Sequence, residues 1–311
     1  MSSKAIVSIG TFDGVHLGHQ AILNEVRRQA DAHRAVALAY AFGLPPRMQA
    51  NSLPKRTLLL PRSGKDRVIL RAIDRVVRAS LSQIRHLSPA QFAESILVAQ
   101  LRARGVVVGE SFRFGSRRSG DLDTLRCLGG RLGFTVTAVP PVLMDGLPIS
   151  STRIRTLLSK GDTRKAAEML GRPPILVGQV VHGDKVGRTI GYATANLEPD
   201  EHLLLPAHGV YAVHAFVLYA SEFSHCPALL YVGTRPTIDN HEEALRCEVH
   251  MLTPPDQALY GERIEVHLLE RMRGDRQFVS LDALRQQIDL DVGHASELLS
   301  QRPPASAPIS G

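Results

Sequence analysis

The hydrophobic pattern of this chain changes period at Gly171-Arg172-Pro173-Pro174, and no single layer of structure satisfies both sides. Before that point, apolar β-type runs alternate with amphipathic helical stretches. Ala5–Ile9 reads as a strand. A helix follows it, with Ile22, Leu23 and Val26 on one face and Arg27 and Arg28 on another; Ala35–Phe42 is a second strand. A helix is expected over about 65–77, and another from a Ser88 N-cap, with Pro89 at N1, to Leu101. Then come a buried strand at Val106–Gly109, a helix over 121–132 and a strand at Thr135–Val139. Such alternation implies βαβ units and a mostly parallel sheet, an α/β domain.

After Pro174 the apolar runs are short and bounded by turns: Leu176–Val181, Val210–Leu218, Ala228–Val232, Arg246–Met251 and Arg263–Leu269. No long helical period returns until Leu281–Leu299. That pattern predicts an antiparallel β-barrel or sandwich closed by a C-terminal helix. The expected domains are residues 1–170 and 175–300, with a Pro- and Ser-containing tail over 301–311 expected to be disordered. A length of 311 residues accommodates two cores.

Lys and Arg number 37 against 30 Asp and Glu, a net charge of +7 that favours anionic partners. The absence of Trp and 5% aromatic content give little support to a base-stacking platform, and no helix-turn-helix accompanies the charge. Phosphorylated small molecules are therefore the expected partners, with no nucleic acid. The three cysteines form no C-x-x-C pair, which argues against structural zinc or a disulfide scaffold and for a reducing cytoplasm. Neither a secretory h-region nor an apolar stretch of about 20 residues is found, so no membrane partner is expected.

Gly10-Thr11-Phe12-Asp13-Gly14-Val15-His16-Leu17-Gly18-His19 sits between the first strand and the first helix. A strand-to-helix turn directs backbone N–H groups and the helix dipole at an anion, and Gly10 and Gly14 let the backbone approach it closely. His16 and His19 can supply donors as charge develops on phosphorus. An isolated H-x-x-H is often two surface histidines; its location at this turn favours the functional reading. Ser150-Ser151-Thr152-Arg153 opens another helical run. Such hydroxyls are often only caps, but with Arg153 adjacent they also suit a triphosphate clamp.

In the second half, the stretch from Gly178 to Asn196 is dense in glycine and carries Gly183, Lys185, Gly187, Thr194 and Asn196. It is not a Walker A loop, and read alone it is a hairpin with a basic loop. Glu248, in Arg246-Cys247-Glu248-Val249-His250, is read alone as a solvated strand residue.

Together these motifs resemble the HxGH nucleotidyltransferase superfamily and, over nearly the whole chain, the bacterial bifunctional riboflavin kinase / FMN adenylyltransferase (FAD synthetase) family. The resemblance extends to Gly109–Asp121, Pro206–Tyr211 and Gly233–Thr237. It implies a Rossmann-like nucleotidyltransferase domain, then a riboflavin kinase barrel, with ATP and Mg2+ as cofactors and riboflavin, FMN and FAD as substrates and products. It places ATP on Gly10, Thr11, Phe12, Asp13, Gly14, Ser150, Ser151, Thr152 and Arg153 in the first domain. In the second it places ATP on Gly183, Lys185, Gly187, Thr194 and Asn196, with Thr194 and Asn196 also holding the metal. His16, His19, Asn196 and Glu248 are the implied catalytic residues, with Glu248 the base; Arg271 and Phe278 are expected beside the flavin.

Some positions depart from the family pattern. Pro45 replaces the histidine of Phe-x-Pro-His-Pro, Ser111 replaces an acid or amide, Ser80-Leu81-Ser82-Gln83 stands where an acidic segment is usual, and Ala193 replaces a proline. These changes motivate an alternative expectation, a monofunctional riboflavin kinase with a degenerate or redirected N-terminal domain. A flavin- or nucleotide-binding regulator without turnover is a third, disfavoured by the intact Thr194, Asn196 and Glu248.

Overall fold

The computed structural model describes residues 4–43, 56–182, 194–235, 244–304 and 307–310. The chain divides into two units: residues 1–54 with 62–150, and residues 55–61 with 151–311.

In the first unit, β1 (Ala5–Gly10) is flanked by β2 (Val36–Phe42) and β4 (Ala103–Gly109), with β3 (Arg75–Ala79) and β5 (Thr135–Val139) at the edges. All pairings are parallel and the order is β3-β2-β1-β4-β5. The order reverses about β1. The crevice beyond the carboxyl ends of β1 and β4 is thus a topological switch point, where open α/β sheets bind ligands. The helix α1 (Leu17–His33) buries Leu23, Val26 and Ala30, spaced for one face.

The helix expected over about 65–77 is corrected. Helix α2 spans Arg62–Leu70 and the chain then re-enters the sheet as β3. Val68, Ile69, Ile73 and Val76 imitate a helical stripe, but Val76 and Val77 are adjacent β-branched residues set between Arg75 and Arg78, which suits a charged edge strand. A short α3 (Leu81–Ile84) precedes α4 (Pro89–Phe92). The Ser88 cap is present: Gln91 N donates to its Oγ at 3.2 Å, and Ser88 N donates to Gln91 Oε1 at 2.9 Å. Helix α5 (Leu122–Leu132) is capped by Asp121 and followed by β5. A two-stranded ribbon, β6 (Leu143–Met144) and β7 (Leu147–Pro148), closes this unit.

The second unit begins with helices α6 (Ser151–Ser159) and α7 (Thr163–Leu170). Six strands follow: β8 (Ile175–Val181), β9 (Ala195–Pro199), β10 (Gly209–Leu218), β11 (Phe223–Arg235), β12 (Ala244–Met251) and β13 (Arg263–Gly274). They close as a barrel in the order β10-β11-β12-β9-β8-β13, with all pairings antiparallel. The sequence left barrel and sandwich open; closure decides for the barrel. Close strand approach fixes Gly178, where a Cβ would lie 2.3 Å from the Glu198 carbonyl oxygen. Strand β10 is buried along nearly its whole length, so it reads as one apolar run rather than an alternation. One reason is α8 (Leu281–Gln301), whose Ala295 and Leu299 pack with Val210, Ala212 and Leu229.

The disordered tail is also corrected. Ile309 is buried, and its N–H donates to both oxygens of Glu265 at 2.9 and 3.0 Å, while Ser310 N donates to Oε2 at 2.7 Å. Glu265 itself is 0% exposed and pairs with His267 at 2.6 Å. Nearby, His225 Nε2 lies 2.9 Å from His214 Nδ1, and His214 Nε2 lies 2.7 Å from the Arg302 carbonyl. The tail is rich in Pro, Ala and Ser, yet it supplies the backbone donors that a buried carboxylate requires. Residues 57–58 belong to this unit as well: Thr57 and Leu58 donate to His202 O at 2.9 and 2.8 Å, and Arg155 Nε donates to Thr57 O at 2.8 Å.

Candidate active sites

In the first unit, Gly10 ends β1 and the chain turns over the sheet edge. Phe12 and Val15 adopt left-handed backbone with φ of 48° and 40°, and Gly14 has φ of 79°. A β-branched residue in that region is strained, and such strain gathers where function demands it. Phe12, Asp13, Gly14 and His16 are all buried. His16 caps α1, its Nδ1 accepting the His19 N–H at 3.4 Å. The two imidazoles stack with centroids 3.8 Å apart, and Phe12 meets His19 edge-on at 5.4 Å. Burial, then the neighbouring His16 and Lys65, push His19 well below the ordinary histidine range. At neutral pH His19 is therefore an uncharged hydrogen-bonding group.

Gly10, Thr11, Phe12, Asp13, Gly14, His16 and His19 are thus brought together. Ser150 ends the first unit, and Ser151, Thr152 and Arg153 form the first turn of α6 in the second. Ser111 is exposed, whereas the neighbouring Phe112 and Phe114 stack at 5.6 Å. Pro45 lies outside the described residues. Sequence reading missed Lys65, which α2 carries to this edge: its Nζ donates to Thr11 O at 3.2 Å and to Phe42 O.

In the second unit, Glu248 on β12 stands between Tyr231 of β11 and Asn196 of β9 in the barrel register. Glu248 and Thr194 line one cavity of about 270 Å³. Arg246, two residues away on the same strand, donates to Glu248 Oε1 through Nε at 2.8 Å and Nη2 at 2.6 Å. Tyr231 O–H donates to Asp275 at 3.1 Å; burial, then the nearby Asp275 carboxylate, push the phenol up to about 12. Arg273 pairs with the buried Asp291 of α8 at 2.9 Å. Phe278, Leu284 and Ile288 complete an apolar wall, with the Arg276 guanidinium 4.6 Å from the Phe278 ring centre.

Phe278 lines this cavity, while Arg271 does not. Arg271 lines a separate open cleft with Ser159, Pro206 and His208 and donates to His208 O. The cause is a bulge in β13: Val210 pairs with Arg273 but Tyr211 with Arg271, so Met272 is an extra residue and the two arginines lose their common face. Gly183, Lys185 and Gly187 lie outside the described residues. Arg246, Tyr231, Asp275 and Arg273 were not singled out as chemical residues, because what joins them is barrel register rather than spacing.

A model for FAD synthetase matches residues 1–153, and one for riboflavin kinase matches residues 170–299. A nucleotide-binding α/β unit joined to a flavokinase barrel defines a class of flavin-processing transferases. The chain is 36% identical over 303 residues to the bifunctional riboflavin kinase/FMN adenylyltransferase of Pseudomonas fluorescens, covering 94% of this chain and 92% of that one. It is 34% identical over 309 residues to the protein of the same name from Escherichia coli (strain K12), covering 96% and 94%. The chain belongs to the bifunctional riboflavin kinase/FMN adenylyltransferase family. A crystal structure from Streptococcus pneumoniae, described as a macrolide-efflux protein, superposes with a TM-score of 0.84 at 29% identity, covering 97% of this chain and 95% of that one. Among the described residues no helix is long and apolar enough to cross a membrane. The monofunctional alternative is corrected: the match over residues 1–153 is to FAD synthetase, and the relatives carry both activities in their names.

Proposed function

We propose that the second unit transfers the γ-phosphoryl group of ATP to the 5′-hydroxyl of riboflavin, giving FMN and ADP as the bond between the γ-phosphorus and the bridging oxygen breaks. The first transfers the adenylyl group of another ATP to FMN, giving FAD and pyrophosphate. The observation that carries this reading is the barrel cavity of about 270 Å³, which Glu248 and Thr194 line together with the apolar Phe278, Leu284 and Ile288.

A ribityl hydroxyl is a weak nucleophile at neutral pH, and Glu248 within hydrogen-bond reach accepts its proton as the oxygen attacks phosphorus. Arg246 engages Oε1, and the proton is assigned to Oε2. The hydroxyl of Thr194 and the amide oxygen of Asn196 are hard oxygen donors that fit Mg2+. When bound, Mg2+ neutralises charge on the transferring phosphoryl group. Phe278, Leu284 and Ile288 hold the flavin ring and exclude water. Gly183, Lys185 and Gly187 are assigned to the ATP phosphates by family likeness alone.

Adenylyl transfer needs no base, because the FMN phosphate oxygen is already anionic. It attacks the α-phosphorus of ATP, and the bond to the pyrophosphate leaving group breaks. The turn from Gly10 to Gly14 supplies backbone donors, His16 and His19 supply side-chain donors, and family likeness alone assigns Ser150, Ser151, Thr152 and Arg153 to the triphosphate. On this reading the expected boundary at residue 170 moves back to residue 150, because α6 and α7 belong to the barrel unit; the first unit is the adenylyltransferase and residues 175–300 hold the kinase, working in the cytoplasm with all three thiols free.

The test is a time course of purified protein with riboflavin, ATP and Mg2+, separating the three flavins chromatographically. FMN followed by FAD is expected. FMN without FAD, even from supplied FMN, removes the adenylyl half; no FMN removes the kinase half.

A further inference from the structure

Lys65 is 6% exposed, an unusual fate for a lysine, and the reaction scheme above does not use it. Its two carbonyl partners are not arbitrary. Thr11 is the first residue past β1 and Phe42 the last of β2, and these strands are paired neighbours with Gly10 opposite Ala41. A simple structural tie between two carbonyls needs only a neutral donor. Here a full charge is buried instead, against the cost of desolvation, beside the buried Asp13.

The position of the contact gives the charge a use. Thr11 immediately precedes Phe12, whose φ is 48°, and Val15 at φ 40° ends the same turn. Gln20 Nε2 holds the Val15 carbonyl at 2.9 Å from the other side. Strained backbone persists only where its surroundings over-determine it, and Lys65 and Gln20 bracket the strained stretch.

We propose that Lys65 is a positioning residue for adenylyl transfer, its buried ammonium holding the Thr11–Val15 turn against the ends of β1 and β2 in the form that presents backbone donors to phosphate. This rests on the reading of the first unit as an adenylyltransferase. The same charge reaches the histidine pair: with burial and His16, Lys65 helps to keep His19 uncharged. The other groups facing Lys65 are Asp13 and Asp66, and Arg62 and Arg78, of opposite effect.

The experiment compares full-length wild type, K65M and K65R, measuring FAD from supplied FMN and FMN from riboflavin in the same preparations across pH. In K65M, kcat for FAD is expected to fall about 100-fold, the scale of a small misplacement at a reacting centre, with little change in KM. Its acidic limb is expected to move to higher pH, because the histidine pair takes up a proton more readily. FMN formation is unchanged. K65R is expected to keep the wild-type limb and to recover most of the rate, and it carries the test alone if K65M does not fold. Wild-type-like FAD formation by K65M overturns the proposal, as does a rate loss that leaves the limb in place and that K65R fails to rescue. Wild type making no FAD overturns the underlying reading instead.

Discussion

Glu248 owes its character to three neighbours: Arg246 on one oxygen, Asn196 opposite and Tyr231 on the other flanking strand. Replacing it with glutamine keeps the shape and removes the base. E248Q is expected to slow FMN formation by about 10²–10⁴-fold and to leave FAD formation from supplied FMN unchanged. A parallel fall in both rates would remove Glu248 from the role of base. At the other site, the stacked imidazoles 3.8 Å apart disfavour a shared double charge, which suits a donor pair better than a cationic clamp. The sequence-legible residues at this scale were consecutive ones, Gly10 to His19, where location relative to a strand carries the meaning. Lys65 and Arg246 had no such signal; one is read only from its carbonyl partners and the other only from the face it shares with Glu248.

Elements were legible where one period dominates. The Ser88 cap, α1 and five of the barrel strands followed from local pattern, whereas β9 was not expected. Strand β3 did not, since its five residues merge into the apolar spacing of the preceding helix. The bulge in β13 was equally hidden, because an extra residue leaves the composition of a strand unchanged while reversing its faces. The docked tail shows the same limit: Glu265, His267 and Ile309 meet through strand register and chain return, not through proximity in sequence. Burial opposes the Glu265 charge, and hydrogen bonds from His267, Ser310 and Ile309 outweigh it, holding its carboxyl below the usual range. E265A is expected to cost about 3–5 kcal/mol, the penalty for removing one partner of a buried pair. Denaturant unfolding measures that loss, and amide exchange at Ile309 and Ser310 rises to the rate of free peptide; protection retained there would remove the tail contact from the account.

For the molecule as a whole, buried imidazoles among the described residues shape the response to mild acid. His19, His214 and His225 are all pushed down, chiefly by burial. Their unfolded counterparts take up protons near pH 6.5, whereas the folded ones do not. Unfolding is therefore accompanied by proton uptake, and stability present above about pH 6.5 is lost as pH falls through it. Melting temperatures at pH 8 and pH 5.5 check the sign; a higher value at pH 5.5 contradicts it. Residues 56–61 make a different whole-chain prediction. They precede the N-terminal helix α2 in sequence yet hydrogen-bond within the barrel unit. Leu58→Ala is expected to destabilise by about 2–5 kcal/mol, as for other buried leucines, and to lower the unfolding midpoint followed through FMN synthesis.

The three thiols divide between the units. Cys127 is exposed on α5, whereas Cys226 and Cys247 are buried in the barrel, the latter pushed up to about 12 by burial. A thiol-directed label on the native protein thus finds one fast address outside the barrel. Every later equivalent of label incorporated is a timestamp of the barrel opening, so the kinetics of one chemical reaction separate the breathing of the kinase half from everything else the chain does.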